Sequence, residues 1–151
     1  MSEKKRRVLS AVLICLCIAT VAFIWGNSIL GSKASSNVSN SVLGALDPII
    51  RRFGIVSKDD LWLRKLAHFT EFAALGAELL FLAAVRRRLG LQAASNCAFA
   101  SLLVALTDET IQLASGRNSQ VLDVLLDFSG ALTGILIAWL ICRLIKKRRA
   151  L

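Results

Sequence analysis

The sequence predicts an all-α membrane protein, in which four transmembrane helices form an antiparallel bundle with a short interfacial helical segment between the first and second. Two observations support this fold class. The 151 residues are 56% hydrophobic, which is more apolar surface than a soluble core of this size can bury. Four apolar stretches also reach the ~20 residues needed to cross a bilayer. They lie at about residues 8–30, 61–85, 91–114 and 121–142, within a single membrane domain over residues 1–151.

The first apolar stretch is expected to be a retained transmembrane helix. Basic residues at positions 4–7 precede it, as they would in a signal peptide. However, its apolar run exceeds the roughly 7 to 15 residues of a signal-peptide core.

The connection between the first two spans contains a predicted outer amphipathic segment at about residues 36–56. Within it, apolar residues such as Val42, Leu46 and Ile49 recur at helical spacing. Asp47 followed by Pro48 is typical of a helix start, so two short helices are favoured over one. We expect them to lie flat at the membrane interface, and an amphipathic cap over the bundle is the alternative.

The remaining helices are separated by short polar connections. Ser57 followed by Asp60 resembles a capping box and predicts that the second helix starts near Lys58. Polar turns at residues 86–90 and 115–120 then precede the third and fourth helices. Such short turns predict antiparallel neighbours.

Basic residues predict the orientation of the bundle. Twelve of the 19 Lys and Arg residues lie in three clusters, at positions 4–7, 86–88 and 143–149. Four alternating helices would place all three clusters on one side of the membrane. The positive-inside rule then predicts that both termini are cytoplasmic. The net charge of +9 is explained by topology. No nucleic-acid partner is expected, because aromatic interleaving and a known binding module are both absent from the sequence.

Charged and polar side chains lie near the predicted outer ends of the second, third and fourth spans. An ionised side chain in hydrocarbon costs roughly 3 kcal/mol or more unless it is paired or hydrated. Counting about 20 residues along each span from its basic end brings all three groups to one depth. The residues are Lys65, His68, Glu71, Asp108, Glu109, Gln112, Asp123 and Asp127.

Helical spacing predicts that these groups face the inside of the bundle. On the fourth helix, Asp127 shares a stripe with Gly130 and Gly134, whose GxxxG spacing lets two helices pack closely. The facing stripe on the second helix contains Lys65, His68 and Glu71, at intervals of three residues.

These residues carry a family resemblance over about residues 63–139. Residues 65–76 resemble the K-x-x-H-F-x-E-[YF]-x-x-L-G signature of the VanZ-like membrane proteins. The chain also resembles a second signature of that family, which consists of D-E-x-x-Q, an Arg in the following loop, and D-x-x-x-N-x-x-G-x-x-x-G. The matching residues are Asp108, Glu109, Gln112, Arg117, Asp123, Gly130 and Gly134. The family's Asn is Asp127 in this chain, which adds a carboxylate. The resemblance implies a bacterial multi-pass protein of the cytoplasmic membrane, and the family's namesake is associated with low-level resistance to teicoplanin, a glycopeptide antibiotic.

The first functional hypothesis is a polar site at the extracytoplasmic face that binds or processes an anionic, lipid-linked or phosphorylated envelope molecule. It would contribute to teicoplanin resistance or to handling of the cell envelope. The candidate catalytic residues are His68, Glu71, Asp108, Glu109 and Asp123. The candidate ligand-binding residues are Lys65, Gln112, Arg117 and Asp127. Gly130 and Gly134 are assigned to helix packing.

Three alternatives stay open. In the first, the charges form a structural ion-pair network in a non-enzymatic protein. In the second, His68 and Glu71 bind a metal together with carboxylates from two other helices. In the third, Glu71 and Glu78 form a proton path in a proton-coupled membrane site, which would require an oligomer. The sequence leaves the cofactor, the oligomeric state and the presence of catalysis undetermined.

Overall fold

A computed structural model describes residues 2–29, 60–116 and 120–148. Each of its four helices is long and apolar enough to cross a membrane. They are α1 (Glu3–Ile29), α2 (Asp60–Val85), α3 (Leu91–Ala114) and α4 (Val121–Arg148). The described ranges contain no strand, which confirms the predicted all-α class. The predicted amphipathic segment at residues 36–56 lies outside the described residues.

The first helix begins before the apolar stretch that predicts it. Charged residues at positions 3–7 are helical, and Arg7 Nη2 donates a hydrogen bond to Oε1 of Glu3 at 2.7 Å, one turn away. A favourable pair at this spacing supports the added helical turn.

The turn between α2 and α3 is closed by backbone hydrogen bonds. The Arg88 amide donates to the carbonyl of Ala83 at 2.8 Å, and the Arg87 amide donates to that of Ala84 at 3.0 Å. This is the Schellman arrangement, which requires a left-handed residue just after the helix. Arg87 supplies it with φ of 60°, a conformation that is uncommon for residues other than glycine.

The closest packing in the bundle joins α2 to α4. At three points, a glycine of one helix lies against a backbone carbonyl of the other, so closely that a Cβ would overlap the carbonyl. The pairs are Gly130 with Phe69, Gly134 with Ala73, and Gly76 with Ala131. From Phe69 with Gly130 to Ala73 with Gly134, both residue numbers rise by four, so these two helices run parallel. Small residues permit such approach in apolar surroundings, where dispersion contacts replace the hydrophobic effect.

The other helices complete the bundle around α2, which packs against all three. Side-chain contacts of Thr20 with Glu78 and of Asn27 with Glu71 show that α1 runs antiparallel to α2. Large apolar side chains of α1, α3 and α4 are exposed on the outer surface of the bundle. This distribution is that of a protein surrounded by lipid, and it confirms the membrane bundle that the sequence predicts.

The two ends of the bundle differ in chemistry. At one end, residues 86–90 connect α2 to α3 and include three consecutive arginines at positions 86–88, and we call this the basic end. At the opposite end, α1 and α3 finish while α2 and α4 begin. This second end, which we call the polar end, contains the buried Asp108, Glu109, Gln112 and Asp127.

Candidate functional site

Asp108 is the most completely buried ionisable residue of the polar end, with 0% of its surface exposed. Its Oδ1 accepts a hydrogen bond from the hydroxyl of Ser28 at 2.6 Å, and its Oδ2 accepts one from Nε2 of Gln112 at 2.7 Å. Buried carboxylates need such donors, because an unsatisfied one costs several kcal/mol. Ser28 therefore makes α1 part of the site, a contribution that the sequence did not predict.

His68 lies between two buried aspartates that come from different helices. Its Nδ1 is 3.9 Å from Oδ2 of Asp108 on α3 and 4.0 Å from Oδ1 of Asp127 on α4. Both separations are longer than a direct hydrogen bond. The three residues each offer one metal-ligand atom, and these atoms lie within 4.8 Å of one another. We call this group, His68 with Asp108 and Asp127, the triad.

An ion pair lies next to the triad, closer to the surface. Lys65 Nζ is 3.1 Å from Oδ1 of Asp123, and the two side chains are 48% and 29% exposed. A pair exposed to this degree contributes about 1 kcal/mol or less to stability. Because its side chain is about half exposed, Lys65, a predicted ligand-binding residue, is accessible to a ligand.

Two glutamates flank the triad. Oε1 of Glu71 accepts a hydrogen bond from Nδ2 of Asn27 at 3.3 Å, and Oε1 of Glu109 accepts one from the backbone amide of Gln120 at 3.0 Å. Within the described ranges, Oε2 of each glutamate is buried and has no hydrogen-bond donor. Asp127 interacts electrostatically with both glutamates, and also with Asp108 and Asp123. The polar end therefore concentrates five carboxylates.

Glu78 occupies a separate position. Ten residues beyond His68 on α2, it lies about 15 Å farther along the helix axis. The hydroxyl of Thr20 is 3.1 Å from Oε1 and 3.0 Å from Oε2 of Glu78, and its single hydrogen can be donated to either. This contact joins the middle of α1 to α2 and is not part of the polar site.

The site opens into a cavity of about 200 Å³ at the polar end. Two cations, Arg64 and Lys65, lie in its lining together with His68 and Asp127. The remaining lining residues are Gln112, Gln120, Asp123 and Leu126. A larger cavity of about 570 Å³ lies at the basic end, with residues 86–88 in its lining, but it contains no member of the triad.

The structure brings most of the predicted site residues to one end of the bundle. His68, Asp108, Asp127 and Gln112 form the interior, while the remaining described candidates, Lys65, Glu71, Glu109 and Asp123, surround them. Arg117 lies outside the described residues.

Four further residues of the site were not predicted: Asn27, Ser28, Arg64 and Gln120. The signal for Asn27 and Ser28 is that they are adjacent polar residues at the end of an apolar run, a pattern that also marks an ordinary helix boundary.

Comparison with protein families identifies the family of the chain. A family model described as VanZ/LLP1 matches residues 9–143, which covers most of each of the four helices and every described residue of the site. Comparisons with curated proteins and with solved structures gave no match.

Proposed function

The chain belongs to the VanZ/LLP1 family, and from that membership we propose that its polar end binds the phosphate group of an anionic, lipid-linked molecule of the bacterial cell envelope. Through this binding the protein would act on the envelope and lower susceptibility to teicoplanin. The observation that carries the proposal is the cavity of about 200 Å³ that has both Arg64 and Lys65 in its lining.

The two cations suit a phosphate ligand. A guanidinium group can donate two parallel hydrogen bonds to phosphate oxygens. Lysine has three donor hydrogens, so Lys65 can keep its 3.1 Å contact with Asp123 and still donate to a ligand. Because Lys65 is about half exposed, a ligand can approach it without disrupting buried packing.

The size and depth of the cavity favour the headgroup of a lipid. Binding sites for drug-sized molecules have volumes of about 300 Å³ or more, so this cavity of about 200 Å³ suits a headgroup whose lipid chain stays in the bilayer. Lys65 is five residues into α2, about 8 Å from the start of the helix. Counting about 20 residues of hydrocarbon span back from the end of α2 at Val85 reaches Leu66, so we expect Lys65 near the boundary with the headgroups, where the phosphates of membrane lipids lie.

A binding measurement with a polyprenyl phosphate tests the proposal. We expect the double variant Arg64→Ala and Lys65→Ala to bind this probe at least about tenfold more weakly, equivalent to about 1.4 kcal/mol. That figure is conservative, because each charge-assisted hydrogen bond contributes about 1.5 to 3 kcal/mol. The control is Arg86→Ala with Arg87→Ala, which removes the same charge at the basic end. Equal loss of binding in the two double variants would contradict the proposal.

Further ligands separate a lipid headgroup from free phosphate. The neutral polyprenol should bind poorly because it lacks the anion, while inorganic phosphate should compete only weakly because it lacks the chain. The thermal stability of the Arg64→Ala and Lys65→Ala variant should stay close to wild type, since the pair of Lys65 with Asp123 is partly exposed. A large loss of stability would instead support a structural ion-pair network.

The same variants connect binding to resistance. Bacteria that express the wild-type chain should be less susceptible to teicoplanin than bacteria that express the Arg64→Ala and Lys65→Ala variant at an equal level. The Arg86→Ala and Arg87→Ala control should protect as the wild type does. Protection by the polar-end variant would separate the phosphate site from resistance.

A further inference from the structure

We propose that His68, Asp108 and Asp127 bind one divalent first-row transition metal ion, of which zinc and manganese are the leading candidates. The sequence predicted a metal site of His68 and Glu71 together with carboxylates from two other helices. The structure instead offers the two aspartates, while Glu71 accepts a hydrogen bond from Asn27. The inference does not rest on the proposed phosphate site, because all three ligands belong to the protein.

The distances within the triad suit an ion at its centre. Nδ1 of His68 is 3.9 and 4.0 Å from the nearest oxygens of Asp108 and Asp127, and the triad's ligand atoms all lie within 4.8 Å of one another. A point equidistant from three atoms with this spacing is about 2.3 to 2.8 Å from each, whereas zinc bonds to nitrogen and oxygen are about 2.0 to 2.2 Å long. Inward shifts of less than about 1 Å would therefore complete the coordination.

The donor types select the class of metal. One imidazole nitrogen with two carboxylates suits zinc, manganese or iron, whereas calcium and magnesium prefer oxygen donors alone. A neutral imidazole and two carboxylates carry a charge that a divalent ion balances. The hydroxyl of Ser28 and the amide of Gln112 hold the Asp108 carboxylate in position, as residues around metal ligands commonly do.

Buried carboxylates around the triad independently favour a bound cation. Glu109 is 5% exposed, and its Oε2 has no donor among the residues that the structure describes. It interacts electrostatically with Asp127, as Glu71 and Asp123 also do. Among the described residues, Lys65 forms its ion pair with Asp123 rather than with the buried acids. A metal ion within the triad would neutralise this buried negative charge, which is otherwise costly.

The cavity supplies a path for the ion. His68 and Asp127 are in its lining, so the triad is reached from the same space as Arg64 and Lys65. Three protein ligands leave at least one coordination position for water or for another ligand, as in metal sites that carry out chemistry. A bound ion would also offset the repulsion between the acidic interior and an anionic headgroup in the cavity.

Metal titration of the purified protein tests the inference. The protein is purified in mild detergent with a tag that lacks histidine, stripped with a chelator, and titrated with zinc chloride or manganese chloride by calorimetry. Elemental analysis after desalting should find about one ion per chain, and the ion should raise the thermal unfolding temperature. Fewer than about 0.1 ions per chain together with an unchanged unfolding temperature would overturn the proposal.

Substitutions locate the ion. His68→Gln and Asp127→Asn should each weaken binding at least about tenfold, because losing a ligand should cost no less than losing a residue that only orients one. Glu78→Gln is the matched control and should bind metal as the wild type does, because Glu78 lies about 15 Å from His68 along α2 and contacts Thr20. Unchanged binding in the two triad variants, or an equal loss in Glu78→Gln, would refute the assignment.

Two further measurements separate loss of binding from loss of folding and identify the class of metal. The secondary structure and unfolding temperature of each metal-free variant show whether that variant is folded. Calcium chloride should bind far more weakly than zinc chloride, and equal binding would contradict a site for a transition metal. Since no lipid is present in the titration, its result is independent of the polyprenyl phosphate assay.

Discussion

Replacing Gly134 by alanine should destabilise the bundle by forcing α2 and α4 apart. A Cβ at this position would overlap the carbonyl oxygen of Ala73 and would lie 2.7 Å from its carbonyl carbon and 3.0 Å from its Cα. The obstacle is backbone within a helix, so no side-chain rotation can remove it. The two helices must separate until the contacts reach about 3.5 to 4 Å, which is the range of favourable carbon–carbon packing.

The expected cost follows from this separation. Moving the helices by about 1 Å weakens dispersion contacts along their whole interface, and overpacking of this kind typically costs about 1 to 3 kcal/mol. For chains of 150 to 250 residues, each kcal/mol corresponds to about 2 to 4 °C in unfolding temperature. We therefore expect Gly134→Ala to lower the unfolding temperature in detergent by about 2 to 12 °C.

A second glycine provides the matched control. Gly26 is in α1, and a Cβ built on it meets nothing within 4 Å. Gly26→Ala should leave the unfolding temperature unchanged or raise it, because alanine favours the helix by about 1 kcal/mol over glycine. Both variants are followed by circular dichroism during heating. If Gly134→Ala unfolds at the wild-type temperature, or if both substitutions lower it equally, the closely packed interface does not support the bundle as described.

Two further substitutions test the contributions of α1 by the same thermal assay. Ser28→Ala removes the hydrogen-bond donor to Oδ1 of the fully buried Asp108. The substitution should lower the free energy of unfolding by about 1 to 3 kcal/mol, the penalty for an unsatisfied buried group. An unchanged unfolding temperature would show that Ser28 does not stabilise Asp108. Thr20→Val removes the hydroxyl that contacts Glu78 and should cost a similar amount, about 1 to 3 kcal/mol. Thr107→Val is the control for both, because that exposed hydroxyl bonds only within its own helix.

The class of the fold could be predicted because lipid imposes simple requirements. A helix satisfies its own backbone hydrogen bonds, and length with hydropathy is then enough to identify each span. The sequence also predicted a closely packing face on α4, since Gly130 and Gly134 are spaced for close approach, although it did not single out α2 as the partner. What spacing did not reveal is that α2 contributes Gly76 to the same interface, because a single glycine in an apolar helix carries no pattern.

Counting along each span predicted that the candidate residues share one end of the bundle, but helical spacing did not predict which residues contact each other. Steps of three residues rotate the side chain by about 60° each, so Lys65, His68 and Glu71 spread over about 120° of α2. The structure shows the result: Lys65 contacts Asp123 on α4, while Glu71 contacts Asn27 on α1. Partners across helices depend on which helices are neighbours, and one sequence does not contain that information. The role of Ser28 was missed for the same reason.

The glycine interface and the triad are geometrically connected. His68 immediately precedes Phe69, whose carbonyl lies against Gly130, and Asp127 is one helical turn before Gly130. The approach of the two backbones at this point therefore limits how far Nδ1 of His68 can be from Oδ1 of Asp127, which is 4.0 Å. Any side chain at position 130 would widen that separation, since helices in contact move as rigid bodies. A glycine outside the triad thus limits the spacing of two of the side chains that we propose as metal ligands. For this reason, if Gly130→Ala lost the proposed metal binding, the loss would reflect displaced ligands even though every donor atom is still present.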